Sequence, residues 1–158
     1  MQKDKIKIYT DGAARGNPGK AGWGAVIFVD KKKFEIGGRV NKATNNQMEL
    51  TASIEALKFL KKHKIIEHVE IFCDSKYVIL GITEWIFNWQ KNNWRNSAKK
   101  PVLNRELWEE LHVLTQNFSC PPSGRKIKWT YIKGHAGIEW NERADVIATS
   151  FADRESVI

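Results

Sequence analysis

A chain of 158 residues, 42% hydrophobic and 28% charged, suits one soluble globular domain with a real core. No apolar stretch approaches the ~20 residues needed to cross a bilayer, which excludes a membrane span. The 26 Lys+Arg outweigh 18 Asp+Glu for a net charge of +8, favouring an anionic partner, nucleic acid first. Seven Trp point the same way, because flat rings beside cations suit sugar-phosphate and base surfaces. The two cysteines, Cys73 and Cys120, form neither a metal motif nor a disulfide framework. Reduced thiols, and a start that runs into a strand with no apolar signal region, make the cytoplasm the expected compartment.

Ile6 to Thr10 alternates and is β-prone, predicting a first strand that stops at Asp11-Gly12. Gly16-Asn17-Pro18-Gly19 reads as a turn. Trp23 to Val29 is a second strand, Lys31-Lys32-Lys33 its hairpin turn and Phe34 to Val40 a third, an antiparallel meander. Thr44-Asn45-Asn46-Gln47 has the form of a capping box, and Met48, Ala52, Ala56, Phe59 and Leu60 give the helix behind it an apolar stripe. Val69 to Cys73 is a fourth strand, which the intervening helix allows to lie parallel to the first. Ser75 to Gln90 is helical with a break at Gly81, and Trp94 to Pro101 is a basic connection. Asn104 is a predicted N-cap for a helix carrying Leu107, Leu111 and Leu114. Asn117 to Arg125 is a Pro-containing loop, Lys126 to Ile132 a fifth strand, and a last helix runs from about Trp140 to Phe151. The order βββαβααβα describes one α/β domain, a mixed sheet with helices on its faces.

Asp11 and Asp74 each follow a predicted strand, and if those parallel strands are adjacent both acids emerge at one carboxyl edge of the sheet. Glu49 lies in the first turns of the crossover helix and Asp145 within the last one. Each has an ordinary explanation alone: a turn at Asp11, a helix-dipole contact at Glu49, a cap at Asp74, a surface position at Asp145. Four converging acids, however, repel one another unless a cation neutralises them. All-oxygen ligands suit Mg²⁺, with Mn²⁺ as a substitute, and two such ions ~4 Å apart stabilise both oxygens of a phosphodiester displacement. His135, in the loop Gly134-His135-Ala136-Gly137, is a candidate proton carrier beside such a site.

These residues resemble bacterial ribonuclease HI, the type 1 ribonuclease H, along essentially the whole chain. The matching segments are Tyr9-Thr10-Asp11-Gly12 with Gly16-Asn17-Pro18-Gly19, Thr44-Asn45-Asn46-Gln47-Met48-Glu49-Leu50, Asp74-Ser75-Lys76-Tyr77-Val78, and Lys133-Gly134-His135-Ala136-Gly137 with Asn141-Glu142-Arg143-Ala144-Asp145. The resemblance implies a single ribonuclease H domain over residues 1–158 with a five-stranded mixed sheet of order 3-2-1-4-5. It implies a metal-dependent endoribonuclease that hydrolyses the RNA strand of RNA–DNA hybrids, leaving 5′-phosphate and 3′-hydroxyl ends, as a monomer with no membrane partner. Asp11, Glu49, Asp74 and Asp145 would be the metal-binding catalytic acids and His135 the assisting base. Asn17, Asn46 and Lys76 would line the RNA strand, and Thr44, Asn104 and Trp85 would meet the DNA strand. Residues of about 85–100 look like the family's basic protrusion, with Trp89, Trp94, Lys91, Arg95, Lys99 and Lys100; Trp89 is expected to be packed and Trp94 exposed. Three departures bear on affinity and sequence preference: Gln47 stands where relatives often carry Arg, Lys76 where some carry Gln, and the stretch Asn117 to Gly124 is longer and richer in Pro than expected before the fifth strand.

Two other functions fit parts of the pattern. A non-catalytic hybrid-binding module would live on charge and Trp alone, but gains nothing from four anions facing phosphates. An integrase or Holliday-junction resolvase shares strand-end acids on this fold, without a Trp- and Lys-rich protrusion of this kind.

Overall fold

The structure, a computed structural model, describes residues 6–65, 68–118, 127–154 and 157–158. Five strands form one sheet in the order β3-β2-β1-β4-β5, as the resemblance implies. β1 (Ile6–Gly16), β2 (Gly19–Val29) and β3 (Lys32–Ala43) are the antiparallel meander. β4 (Val69–Cys73) lies parallel to β1 from Ile6↔Val69 to Thr10↔Cys73, and β5 (Lys128–Tyr131) parallel to β4.

The first strand is longer than Asp11-Gly12 suggests. β1 continues to Gly16 because β2 keeps pairing with it, Asp11 opposite Gly24 and Gly16 opposite Gly19. Pairing on one side outweighs the poor strand propensity of Asp and Gly. β4 ends opposite Thr10, so Asp11 is the first residue of β1 beyond its parallel neighbour. The following hairpin also differs: Asp30 and Lys31 make the turn, and Lys32 and Lys33 already belong to β3.

The helix α1 (Asn45–Lys62) opens with both bonds of the capping box. Gln47 N–H donates to Thr44 Oγ1 at 3.1 Å, and Thr44 N–H donates to Gln47 Oε1 at 2.9 Å. Leu50, Ile54 and Leu57 bury its apolar stripe against Ile8, Ile27 and Ile71 of the sheet. The other face is covered by α5 (Glu139–Ala152), whose Ala144 and Ile147 pack on Val26 with Tyr9 and Phe28 at the margin. Two arginines tie down the far end of α5: Arg39 Nη1 donates to the carbonyls of Phe151 and Ala152, and Arg15 forks onto Asp153.

Gly81 does not break the helix that follows β4. The chain runs through α2 (Lys76–Leu80), one wider π-type turn over Gly81–Trp85 and α3 (Ile86–Lys91), with Gly81 in right-handed helical geometry. Its missing side chain serves packing, since a Cβ there would lie 2.0 Å from the Trp108 ring. Asn104 does precede α4 (Arg105–Gln116), but its backbone is left-handed, φ 62, and its side chain makes no cap bond. The Pro-containing loop beyond Phe118, with Cys120 and the predicted strand start at Lys126, lies outside the described residues.

Candidate active site

The parting of β1 and β4 is where the acids gather. Asp11 points from β1 just past the last β4 pair, and Asp74 follows the last residue of β4. Glu49 reaches them from the first turns of α1. Carboxylate oxygens of the three lie within 4.8 Å of one another. Asp11 and Glu49 are buried, at 5% and 8% exposure, and Asp74 is half-buried. The Gly12 N–H donates to both Asp11 Oδ1 at 2.9 Å and Glu49 Oε1 at 3.0 Å, and the Cys73 thiol donates to Glu49 Oε2 at 4.0 Å. Gly12 allows that convergence, because a Cβ there would strike the backbone of Met48 and Glu49 at 2.5 Å. The side on which Gly12 lacks a Cβ therefore faces α1.

Burial raises the Asp11 carboxyl to about 7, with the charges of Asp74 and Asp145 adding and a hydrogen bond to Glu49 opposing. Burial also pushes Glu49 well above the carboxylate range, helped by the facing Asp11. Asp74 rises through burial and then the charge of Asp145, while His135 pulls it down. Asp145, half-buried on α5, thus stands outside the close trio but acts on two of its members. His135 is exposed in its loop, with left-handed backbone at φ 56, and electrostatically within reach of Asp74.

This donor set fits a divalent cation. All its ligand atoms are carboxylate oxygens, which hard cations prefer, and their mutual repulsion in a buried place is what a bound cation relieves.

The expected substrate residues divide into two groups. Asn17, Thr44 and Asn46 lie around the start of α1. Asn45 ties them together, its Oδ1 accepting from Ala14 N–H at 2.7 Å and its N–H donating to Asn17 Oδ1 at 3.0 Å. Asn46 is exposed in the first helical turn. Lys76, two residues past Asp74, is exposed with its ammonium 5.0 Å from the Tyr131 ring centre. Asn104 meets Gln47 and Tyr77, at 3.1 Å each.

The protrusion forms the second group. Trp85 is 38% exposed and lies beside Tyr77 and Trp89. Lys91, Lys99 and Lys100 are exposed, and Arg95 Nη1 donates to the Lys99 carbonyl at 3.0 Å. Trp94 corrects the sequence expectation. At 9% exposure it is buried, tilted against Trp89 and covered by the Arg105 guanidinium. Positive φ at Asn93 and Trp94 folds the chain back, so that Trp94 N–H donates to the Trp89 carbonyl and Arg95 bridges Pro101. Trp89 is packed, as expected.

Sequence reasoning overlooked the Gly12 amide, the Cys73 thiol, Asn45 and Tyr77. Asn45 was within reach, being the first member of the Asn pair after the cap; the others depend on which side of a strand or helix faces inward.

Known proteins carry the same architecture. Residues 3–153 match the family model for RNase H. A ribonuclease H from Ehrlichia canis is 48% identical over 147 residues, 93% of this chain and 94% of that one. One from Afipia carboxidovorans is 47% identical over 147 residues, 93% and 92% of the two chains. LC11-RNase H1, solved in complex with an RNA/DNA hybrid, superposes with a TM-score of 0.69 at 28% identity, covering 94% of this chain and 97% of that one. An N-terminal RNase H domain from Mycobacterium tuberculosis gives 0.71 at 28% identity, with 96% of each chain covered. With the sheet order, the acid cluster at the end of β4 and a family match over nearly its whole length, the chain belongs to the RNase H family.

Proposed function

We propose that this chain is an endoribonuclease that hydrolyses the RNA strand of RNA–DNA hybrids, leaving 5′-phosphate and 3′-hydroxyl ends. The observation that carries this reading is the trio of carboxylates within 4.8 Å of one another where β1 and β4 part. Asp11, Glu49 and Asp74, with Asp145 beside them, would hold Mg²⁺, or Mn²⁺ in its place. Bound there, the ions supply charge stabilisation to the attacking and leaving oxygens of the phosphodiester.

The protein's own groups do the rest. The Gly12 N–H fixes two of the carboxylates relative to each other, so the acids need little rearrangement when a cation arrives. His135, exposed and beside Asp74, is placed to carry a proton to or from the cleaved strand. Asn17, Asn46 and Lys76 meet the RNA strand near the cluster, and Thr44, Asn104 and Trp85 meet the DNA strand. Lys91, Lys99 and Lys100 hold the hybrid by its phosphates. Amides and carboxylates near a 2′-hydroxyl can serve it as donor and as acceptor, which supports cleavage within runs of ribonucleotides and poor cleavage at a lone one.

The cluster is assembled from one chain, which suits a monomer, and the buried free thiol of Cys73 suits a reducing cytoplasm. Among the described residues no helix is long and apolar enough to cross a membrane. End-labelled RNA–DNA hybrid, RNA duplex, DNA duplex and branched DNA, each incubated with Mg²⁺ and with chelator, test the activity. Metal-dependent cutting of the hybrid's RNA strand is expected; preferential cutting of branched DNA would make the protein a resolvase-like nuclease.

A further inference from the structure

Gln47 uses the two ends of one amide for two different tasks. Its Oε1 accepts from Thr44 N–H at 2.9 Å, and its Nε2 donates to Asn104 Oδ1 at 3.1 Å. Asn104 in turn donates through Nδ2 to Tyr77 Oη at 3.1 Å. The direction of this chain is set at its first link. A backbone N–H can only donate, so Gln47 must face Thr44 with its oxygen and Asn104 with its nitrogen. Asn104 must then turn its oxygen inward to Gln47. Its NH₂ faces Tyr77 with one hydrogen, leaving the second as the group it can offer outward. Asn104 is also spared helix-capping work, since its side chain makes no bond to the start of α4.

We propose that Gln47 and Tyr77 are positioning residues that hold the Asn104 amide as a hydrogen-bond donor, the form that binds a DNA phosphate oxygen. The proposal deepens the reading above, in which Asn104 meets the DNA strand, and rests on it. It also gives Gln47 a role that an Arg could not fill, because a guanidinium cannot accept from Thr44 N–H.

The variant Gln47→Glu isolates the effect. Its carboxylate still accepts from Thr44 N–H, so the melting temperature should stay near that of the native protein. Toward Asn104 it presents an acceptor, which turns the Asn104 amide round and aims its carbonyl at the phosphate. KM for the hybrid should rise about tenfold with kcat unchanged, the loss of one hydrogen bond to a charged group. The added negative charge repels DNA too, and Asn104→Ala separates the two causes. In an Asn104→Ala background, Gln47→Glu should raise KM clearly less than in the native background, because only the repulsion remains. An equal rise in both backgrounds would mean simple repulsion and overturn the proposal. If Asn104→Ala alone leaves KM unchanged, Asn104 does not grip the DNA strand, and the underlying reading fails. The amide orientation is then settled by nuclear Overhauser contacts of the Asn104 NH₂ protons. They should reach the Tyr77 ring in the native protein and move to the residue 47 side chain in Gln47→Glu. Native NH₂ protons already facing Gln47 would overturn the positioning itself.

Discussion

Asp11 and Glu49 keep 5% and 8% of their surface exposed, whereas Lys91, Lys99 and Lys100 of the protrusion stand in solvent. The acids sit on a strand and a helix locked by the core, and their charge is costly there unless a cation neutralises it. The lysines end in flexible stems, cost little to solvate and act at longer range. In the same region Trp89, Trp94 and Trp108 pack as a tilted and edge-on cluster, with Trp89 5.3 Å from Trp108 and 6.1 Å from Trp94 between ring centres. On the proposed function, the first region would use rigid framework for chemistry, where small misplacements matter, and the second solvated charge for grip, where they do not.

The sharpest way to break this contrast is Asp11→Asn. Cleavage of the hybrid should fall at least ~10³-fold, the scale of several kcal/mol of metal-assisted stabilisation. The fold should survive, seen as unchanged circular dichroism. A variant that fails to fold would make Asp11 structural.

Next in size is Trp94→Ala. Emptying that buried position should cost about 3–5 kcal/mol in denaturant unfolding. The salt dependence of hybrid binding, measured while the variant is folded, should stay the same. A weaker salt dependence would put Trp94 on the gripping surface after all.

A third measurement follows from the raised acids. Asp11, Glu49 and Asp74 hold protons in the folded state to higher pH than in the unfolded chain. Folding therefore takes up protons in this window, and stability falls as pH rises. The site's contribution is fully present below about pH 4, the unfolded carboxylate range, and is lost as pH climbs through about 7, where Asp11 titrates. Metal-free protein should melt lower at pH 8 than other groups alone would make it, by a few kcal/mol of stability. Asp11→Asn should recover part of that loss at pH 8 and nothing at pH 4. Mg²⁺ should raise the melting temperature more at pH 8 than at pH 5. Stabilisation by Mg²⁺ independent of pH would place the ion elsewhere.

The smallest effect belongs to Lys91, Lys99 and Lys100. Changing all three to Ala should raise KM by about tenfold at moderate salt, leave kcat unchanged and reduce the logarithmic salt slope by about one per lost phosphate contact. Arg95 is left intact because it holds the Lys99 carbonyl.

Much of this was legible in the chain itself. Val69 to Cys73 matches β4 residue for residue, because a run led by Val69, Ile71 and Phe72 ends abruptly at Asp74 and the Ser75 cap. Thr44 to Gln47 announced α1, since a capping box is a local device whose partners lie three residues apart. What failed were inferences that needed a neighbour. Gly81 looked like a break because its partner, the Trp108 ring, lies 27 residues further on. Trp94 reads as a surface residue among Lys and Asn; Asn93 suits a left-handed turn, but nothing local says that the bulky Trp94 shares it and tucks inward.

Residue order alone reveals which side chains could do the chemistry, the order of the elements and the sign of a partner's charge, because periodicity, capping and composition are local or additive properties. The folded chain adds that β1 outruns β4 at Asp11, that one Gly12 amide joins two acids, and that Gln47 reaches Asn104. Those facts depend on strand register and on which faces of distant elements meet, and long-range packing settles both only when the whole chain is folded.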